Sequence, residues 1–440
     1  MTPRLTVLGT GYLGATHAVC MAELGFEVLG LDVDERKVSM LSAGEVPFYE
    51  PGLDELLRKT MDTGRIRFTT SYDEVAEFGD VHFICAGTPQ KKGEYAADLT
   101  QVNSVVDELA PRLTRPCLVV GKSTVPSGTA LRVAQELEAT APAGRAVELA
   151  WNPEFLREGF AVEDTLHPDR LVFGVRPDGH GEATLREVFA APIGEGVPVI
   201  VTDYATAELV KVAANAFLAT KISFINAMAE VCEAVHADVT ALADALGHDS
   251  RIGRRFLHPG LGFGGGCLPK DIRAFMARAG ELGVDQALSF LREVDAINSR
   301  RRVRMVELTR ELVDGTFTDK RIGVLGAAFK PNSDDIRDSP ALDVADAIRR
   351  QGAHVTVYDP AAVDNARRIY PQLQYADSVA AAARDADVVL HLTEWREFVE
   401  MDPAVLADVV RHKRIVDGRN ALVADRWRSA GWAYRALGRP

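Results

Sequence analysis

The sequence predicts an α/β protein of two doubly wound domains joined by a long central helix and a helical middle segment. Three observations carry this expectation. Short apolar strands alternate with helical patterns up to residue 203, residues 205–236 contain neither Gly nor Pro, and the strand-glycine-helix pattern begins again at Arg321. At 440 residues the chain is also too long for one ordinary core.

In the first domain, residues 1–203, candidate strands are Leu5–Leu8, Glu27–Leu31, Ile66–Thr69, Val81–Cys85, Leu118–Gly121 and Val147–Ala150. Helices such as Leu13–Leu24 and Leu53–Thr60 lie between them, and this alternation is the mark of a parallel sheet. Leu171–Val175 and Val199–Thr202 close the block, the second just after Pro198, which cannot donate to a ladder. Residues 204–312 read as helices: one over 205–236, one over 269–281 and one over about 286–312. A helix as long as 205–236 packs either against the same helix of a second copy or as a buried linker within one chain, and the pattern permits both. In the third segment, 313–440, strands follow at Arg321, His354–Tyr358, Val388–His391 and Arg414–Val416. The layout echoes the first domain without being a close sequence repeat.

Composition narrows the function. With 47% hydrophobic and 26% charged residues the chain has the make-up of a soluble globular protein. Its net charge of -13 repels nucleic acid and anionic lipid surfaces, so an anionic ligand must be held by local cations and helix N-termini. The sequence has no uninterrupted apolar run of membrane-spanning length and no secretion signal at its start, which predicts a cytoplasmic protein with no membrane contact. Cys20, Cys85, Cys117, Cys232 and Cys267 are odd in number and scattered, so they predict reduced thiols and no metal site.

Gly9-Thr10-Gly11-Tyr12-Leu13-Gly14 follows the first strand and opens a helix. Gly9 permits the tight turn, Gly11 lets the backbone approach a pyrophosphate, and Gly14 lets helix and strand pack closely. The pyrophosphate would sit at the helix N-terminus, where free N–H groups favour negative charge. Asp32, at the end of the next strand, is placed to hydrogen-bond a ribose and repel a 2′-phosphate, which makes this a Rossmann-like domain for NAD. The alternative is a Gly-rich turn with no ligand. Thr88 and Thr124 follow later strands and face the cofactor in such sheets, although taken singly each is an ordinary turn hydroxyl. The second glycine turn, Gly323 to Gly326, leads to Lys330; that cation suits a diphosphate or nucleotide, or is a surface lysine beside a plain βα turn.

The run from Pro259 to Asp271 holds five glycines just before Cys267. Such a loop is expected to pack no core and to approach a ligand closely. Cys267 falls at a helix start, with Pro269 in the first turn, and helix N-termini stabilise the nucleophilic thiolate. The other four cysteines sit in apolar patterns and are expected in the core. The plainer alternative for Cys267 is a small buried residue under a glycine turn. Lys211 and Asn215 are four apart on the long helix, on a face shared with Ala214, Leu218 and Ile222; this suggests a pocket, or else a lysine snorkelling at a packed edge. Glu154 and Glu158 serve acid–base work or pair with Arg157.

Together these segments resemble the UDP-glucose/GDP-mannose dehydrogenase family, in order and over nearly the whole chain. The resemblance rests on Gly9–Gly14, Val46–Gly52, Asn152–Gly159, Ala213–Phe217, the glycine-cysteine loop and Phe329–Arg337. It implies a four-electron oxidation of UDP-glucose to UDP-glucuronate with two NAD+ per turnover, GDP-mannose being the alternative substrate. Cys267 would carry a thiohemiacetal and then a thioester. Lys211 and Asp271 would assist removal of the alcohol proton, Lys211 and Asn215 would stabilise the oxyanion, and Glu154, Thr124 and Asp271 would assist hydrolysis. Further cofactor contacts implied are Tyr12, Leu13, Lys37, Thr88, Thr124, Glu158, Lys270 and Arg337. Substrate contacts implied are Glu154, Phe155, Leu156, Arg157, Lys211, Asn215, Phe256, Leu257, His258, Pro259, Gly260, Gly264 and Lys330, with Arg419 a weaker diphosphate candidate. Arg251 resembles an arginine that reaches the neighbouring subunit's site, which implies a functional homodimer. Many family members carry Ser before the cysteine and Phe after it, where this chain has Gly266 and Leu268.

Overall fold

The computed structural model describes residues 2–440. They form two compact units: the chain up to Ala214 together with Arg273–Gly283, and Asn215–Ile272 together with Val284–Pro440.

The first unit is built on an eight-stranded sheet: β1 Leu5–Leu8, β2 Val28–Leu31, β3 Ile66–Thr69, β4 Val81–Ile84, β5 Cys117–Gly121, β6 Val147–Trp151, β7 Leu171–Gly174 and β8 Val199–Thr202. Their order is β3-β2-β1-β4-β5-β6-β7-β8. β1, β2 and β4 are buried at every residue, as strands covered on both faces must be, which is why they read as unbroken apolar runs. Strands β1 to β6 pair in parallel, as their alternation with helices predicts, while β7 meets β6 antiparallel and β8 runs parallel to β7. The β6–β7 connection, residues 152–170, carries one short helix, Ala161–Leu166. Helix α1, Tyr12–Glu23, leads from β1 and is buried from Gly14 to Ala22.

The second unit holds a six-stranded sheet: β9 Arg321–Leu325, β10 His354–Tyr358, β11 Gln374–Tyr375, β12 Val388–His391, β13 Arg414–Asp417 and β14 Ala433–Ala436. Its order is β11-β10-β9-β12-β13-β14, parallel throughout, the same winding as the first six strands of the other sheet. The echo seen in the sequence is therefore one of topology. β11 is two residues long and β14 alternates exposed and buried positions at the chain's end, so neither shows an apolar run.

Helix α2, Tyr204–Val235, is a single element whose residues up to Ala214 belong to the first unit and the rest to the second. Among the described residues it is the one helix long and apolar enough, by length and composition, to cross a membrane, and 44% of its apolar window is buried inside the protein. Leu209, Phe217, Phe224, Val231 and Val235 are exposed on it. Helix α3 spans Leu268–Glu281. The single helix expected over about 286–312 divides at Ser289 into a 3₁₀ turn, Asp285–Leu288, and helix α4, Phe290–Leu312.

Candidate active site

In the first unit the glycine turn lies between β1 and α1. Gly9 has φ +92°, and a side chain there would press on the backbone of Cys85 and Ala86. A Cβ on Gly14 would run into the Gly9 carbonyl. Gly11 differs: a Cβ there meets no protein atom within 4 Å, so the fold does not require glycine at this position. The open side is the fit expected for a pyrophosphate approaching the backbone at the start of α1. Asp32 is buried and accepts from the Thr10 N–H at 2.9 Å and the Thr10 hydroxyl at 3.1 Å. Its other oxygen takes the Asp34 N–H, and Lys37 lies 3.3 Å away, so the acid and its cation sit directly beside the turn.

Tyr12 does not extend freely from the turn. Its hydroxyl donates to the buried carboxylate of Glu50, which also accepts the N–H groups of Gly159 (2.6 Å) and Ala161 (2.7 Å). Glu50 thereby joins the start of α1 to the loop after β6.

Beyond β4, β5 and β6 a polar cluster gathers. The Thr88 hydroxyl donates to the Thr124 carbonyl at 2.8 Å, joining two strand-end loops. Lys122, at the end of β5, is 3% exposed; its ammonium donates to Asn152 Oδ1 at 2.9 Å and lies 2.9 Å from Glu154 Oε2. The Phe155 and Leu156 N–H groups donate to Glu154 Oε1 at 2.7 and 3.0 Å. Burial pushes the Glu154 carboxyl up, but the Lys122 charge, its hydrogen bond and the Phe155 N–H outweigh it, leaving the group below the usual carboxylate range. Lys211 sits 5.5 Å from the centre of the Phe155 ring, so the lysine of α2 faces this cluster. Arg157 pairs with neither glutamate. It binds Asp164 through its backbone N–H and its guanidinium, which removes the expected alternative in which Glu154 and Glu158 neutralise it. Glu158 is buried beside this loop.

In the second unit the glycine-cysteine loop corrects one expectation. It does pack a core: residues 259–266 are buried and Leu261 belongs to the C-terminal hydrophobic cluster. Its glycines serve that packing. A Cβ on Gly260 would meet the Gly418 carbonyl, on Gly262 the Asn298 amide, on Gly264 the Asp338 carbonyl, and on Gly265 the Phe329 ring at 2.7 Å. On Gly266 it would meet the Arg337 guanidinium, so that side chain fills the space a serine would claim. Two buried amides clamp the loop. Asn298 accepts the Phe263 N–H at 2.8 Å and donates to its carbonyl at 2.9 Å, while Asn226 accepts the Gly260 N–H at 2.9 Å.

The clamped loop delivers Cys267 exposed at the start of α3, with the Asp271 N–H bonded to its carbonyl at 3.0 Å. The buried alternative for Cys267 is thereby removed. Cys20, Cys85 and Cys232 are buried and Cys117 is half-buried, so only the last departs from the expected core position. Asp271 is 2% exposed; it accepts from Asn215 Nδ2 at 2.6 Å, and the Lys270 ammonium lies 2.5 Å from its other oxygen.

Of the remaining candidates, Leu257, Pro259 and Gly260 are buried, Phe256 is half-buried with φ +65°, and His258 is exposed. Lys330 is half-buried beyond β9, its ammonium 5.3 Å from the centre of the Phe329 ring. Arg337 turns back on Asp335. Arg419 gives one N–H each to the carbonyls of Leu392, Gly262 and Phe329, stitching the glycine loop to the strand-end loops of its sheet. Arg251 is exposed and pairs with Asp249.

Sequence reasoning missed Lys122, Asn152, Glu50, Asn226 and Asn298. Lys122 carried a readable signal, since a lysine directly after a wholly apolar strand must find a buried partner or end the strand in water. Glu50 and the two asparagines bind backbone far away in sequence, which no local pattern reveals.

Residues 3–193 match the NAD binding domain of the UDP-glucose/GDP-mannose dehydrogenase family, residues 205–300 its central domain and residues 323–424 its UDP binding domain. The UDP-glucose 6-dehydrogenase of Rhizobium meliloti is 40% identical over 438 residues, covering 99% of this chain and 100% of that protein. UDP-glucose 6-dehydrogenase TuaD of Bacillus subtilis is 41% identical over 440 residues, covering 99% and 93%. Among solved structures, a UDP-glucose dehydrogenase from the hyperthermophilic archaeon Pyrobaculum islandicum superposes with TM-score 0.91 at 37% identity, covering 100% of this chain and 98% of that one. NAD is thus the cofactor, in keeping with the open side of Gly11 and with Asp32 at the end of β2. The chain belongs to the UDP-glucose/GDP-mannose dehydrogenase family.

Proposed function

We propose that this enzyme oxidises UDP-glucose to UDP-glucuronate through a covalent bond to Cys267, reducing two NAD+ per turnover. The observation that carries the reading is an exposed thiol at the start of α3, one turn from a buried aspartate held by Asn215 and Lys270. Substrate identity is supported by the UDP binding domain match and by the names of the two curated relatives.

NAD, when bound at the Gly9–Gly14 turn, is the two-electron acceptor in each oxidation. Lys211 and Asp271, with an ordered water, receive the proton of the sugar's primary alcohol in the first. Cys267 Sγ then bonds to the aldehyde carbon, the carbonyl electron pair moves to oxygen, and that oxygen takes up a proton. Lys211 and Asn215 stabilise charge on this oxygen. Oxidation of the thiohemiacetal leaves a thioester, which water opens with Glu154, Thr124 and Asp271 assisting. Gly9, Gly11, Tyr12, Leu13, Gly14, Asp32, Lys37, Thr88, Thr124, Glu158, Lys270 and Arg337 are the proposed cofactor contacts. Residues 154–157 and 256–260 with Gly264, Lys330 and Arg419 are the proposed sugar-nucleotide contacts.

Two copies pair through α2 in this reading, each lending Arg251 to the other. The exposed apolar row on α2, with Phe217, Phe224 and Val231 seven residues apart, supports pairing with a second helix rather than with lipid. Five cysteines joined in no disulfide suit a reducing cytoplasm. The three segments 1–203, 204–312 and 313–440 correspond to cofactor binding, pairing with covalent catalysis, and sugar-nucleotide binding. The test is a substrate panel with NADH counted per sugar. Two NADH per UDP-glucose supports the reading; turnover of GDP-mannose alone, or one NADH per sugar, contradicts it.

A further inference from the structure

We propose that Lys122 is a positioning residue for the hydrolytic half of the reaction, fixing Glu154 as an anion with one Oε2 lone pair left to hold the attacking water. The inference rests on the proposed thioester at Cys267.

A carboxylate offers about four acceptor positions. On Glu154, Oε1 takes two backbone N–H groups, from Phe155 and Leu156, and Oε2 takes the Lys122 ammonium. One position on Oε2 remains, and the side chain is 15% exposed rather than sealed in the core. Lys122 is in turn held by the Asn152 amide, whose own N–H₂ donates to the Val172 carbonyl at 3.0 Å. The aim of Glu154 is therefore fixed through Lys122 and Asn152 by the strand ends of β5, β6 and β7.

Stability alone is a weak reason for this arrangement, because desolvating an ion pair costs about as much as the pair returns. What the pair secures is charge state and direction. Lys122 just beyond β5 and Lys211 from α2 lower the Glu154 carboxyl, and the Arg170 guanidinium lies 3.8 Å from the centre of the adjoining Phe155 ring. Cys20 from α1 and Cys85 beyond β4 face it as neutral thiols, burial pushing both up, Cys85 to about 12. His17 of α1 is held neutral by burial and by the Lys122 charge.

In the step itself the water oxygen bonds to the thioester carbon and the carbon–sulfur bond breaks with its electron pair on Sγ. One water proton returns to Sγ, and the other is lost as the product acid ionises. Glu154 accepts a hydrogen bond from that water and orients it.

The test compares Lys122→Met and Lys122→Arg with wild type, using rapid-quench NADH counting, intact mass and the pH profile of kcat. Lys122→Met should release the first two NADH per site at near wild-type speed, then stall with the uronyl thioester on Cys267, hydrolysis falling about 100-fold. Its acidic limb should move up by about one pH unit or more, and Lys122→Arg should move it back. Combined with Glu154→Gln, Lys122→Met should add no further loss. Equal slowing of both NADH steps with no adduct, an unmoved acidic limb, or additive losses would overturn the proposal. NAD binding and the melting temperature of each variant separate misfolding from these outcomes, and should Lys122→Met misfold, Lys122→Arg and the Glu154→Gln adduct decide. If Cys267→Ser still makes UDP-glucuronate, the covalent reading fails and this inference with it; an adduct in Glu154→Gln without one in Lys122→Met overturns the inference alone.

Discussion

Asn215 Nδ2 donates to Asp271 Oδ2 at 2.6 Å, tying a residue of α2 to one of α3 inside a site that is 2% exposed at the aspartate. With Lys270 on the other oxygen, the Asp271 carboxylate is oriented from both sides. A carboxylate so held is built to pass protons at a fixed place. Asp271→Asn should lower kcat about 100- to 10,000-fold, with NAD affinity within twofold of wild type. Asn215→Ala should lower kcat less, since Lys270 remains. Stopped-flow NADH formation and NAD titration measure both, and a kcat loss below tenfold in Asp271→Asn would remove this residue from the chemistry.

The glycines of the cofactor turn separate fold from binding. Gly14→Ala drives a methyl into the Gly9 carbonyl, an overpacking worth about 1–3 kcal/mol of stability. Gly11→Ala meets open space and has an ordinary φ of -69°, so stability should stay within about 0.5 kcal/mol, while NAD affinity drops at least about tenfold. Urea unfolding beside isothermal titration checks the pair. A destabilised Gly11→Ala, or one that binds NAD normally, contradicts the assignment.

Asp32 holds the Thr10 N–H and hydroxyl and meets Lys37. Asp32→Asn keeps the shape and removes the charge. It should cost about 1.5–3 kcal/mol of NAD binding and narrow the preference for NAD over NADP, read from kcat/KM with each. An unchanged ratio would take Asp32 away from the ribose.

Two buried histidines set an acid limit on the fold. His82, bonded to Thr6 at 2.8 Å, is pushed down to about 3 by burial and then by Arg115, and His17 is lowered well below the usual range by burial and Lys122. Both folded values lie below the unfolded one of about 6.5, so the unfolded chain binds more protons as pH falls through 6.5. Stability is present above that pH and is lost below it, at about 1.4 kcal/mol per pH unit for each histidine. Between pH 7 and pH 5 the urea midpoint should therefore fall, and the slope should be shallower in His82→Gln. A midpoint that does not move would show that these rings protonate without unfolding.

Much of this was legible beforehand because the signals are local. β1, β2 and β4 read as buried strands since both faces are covered, and Gly9–Gly14 with Asp32 lies within one βαβ unit. The antiparallel pairing of β7 is hidden because strand direction is set by the neighbour it pairs with, which no local pattern reveals. The glycine loop was misread for a related reason. Glycine marks close approach, but whether to ligand or to protein depends on Asn298, Phe329 and Gly418, all distant in sequence. Lys122 escaped notice because the partners that make it informative, Asn152 and Glu154, lie on another strand end.

The central claim is that Cys267 carries the sugar between the two oxidations. It is tested most directly by measuring UDP-glucuronate formed by Cys267→Ser at saturating UDP-glucose and NAD+, with NAD binding measured alongside. The account predicts NAD binding near wild type and a net rate reduced about 1,000-fold or more. Product formed at the wild-type rate, with two NADH per sugar, would contradict it.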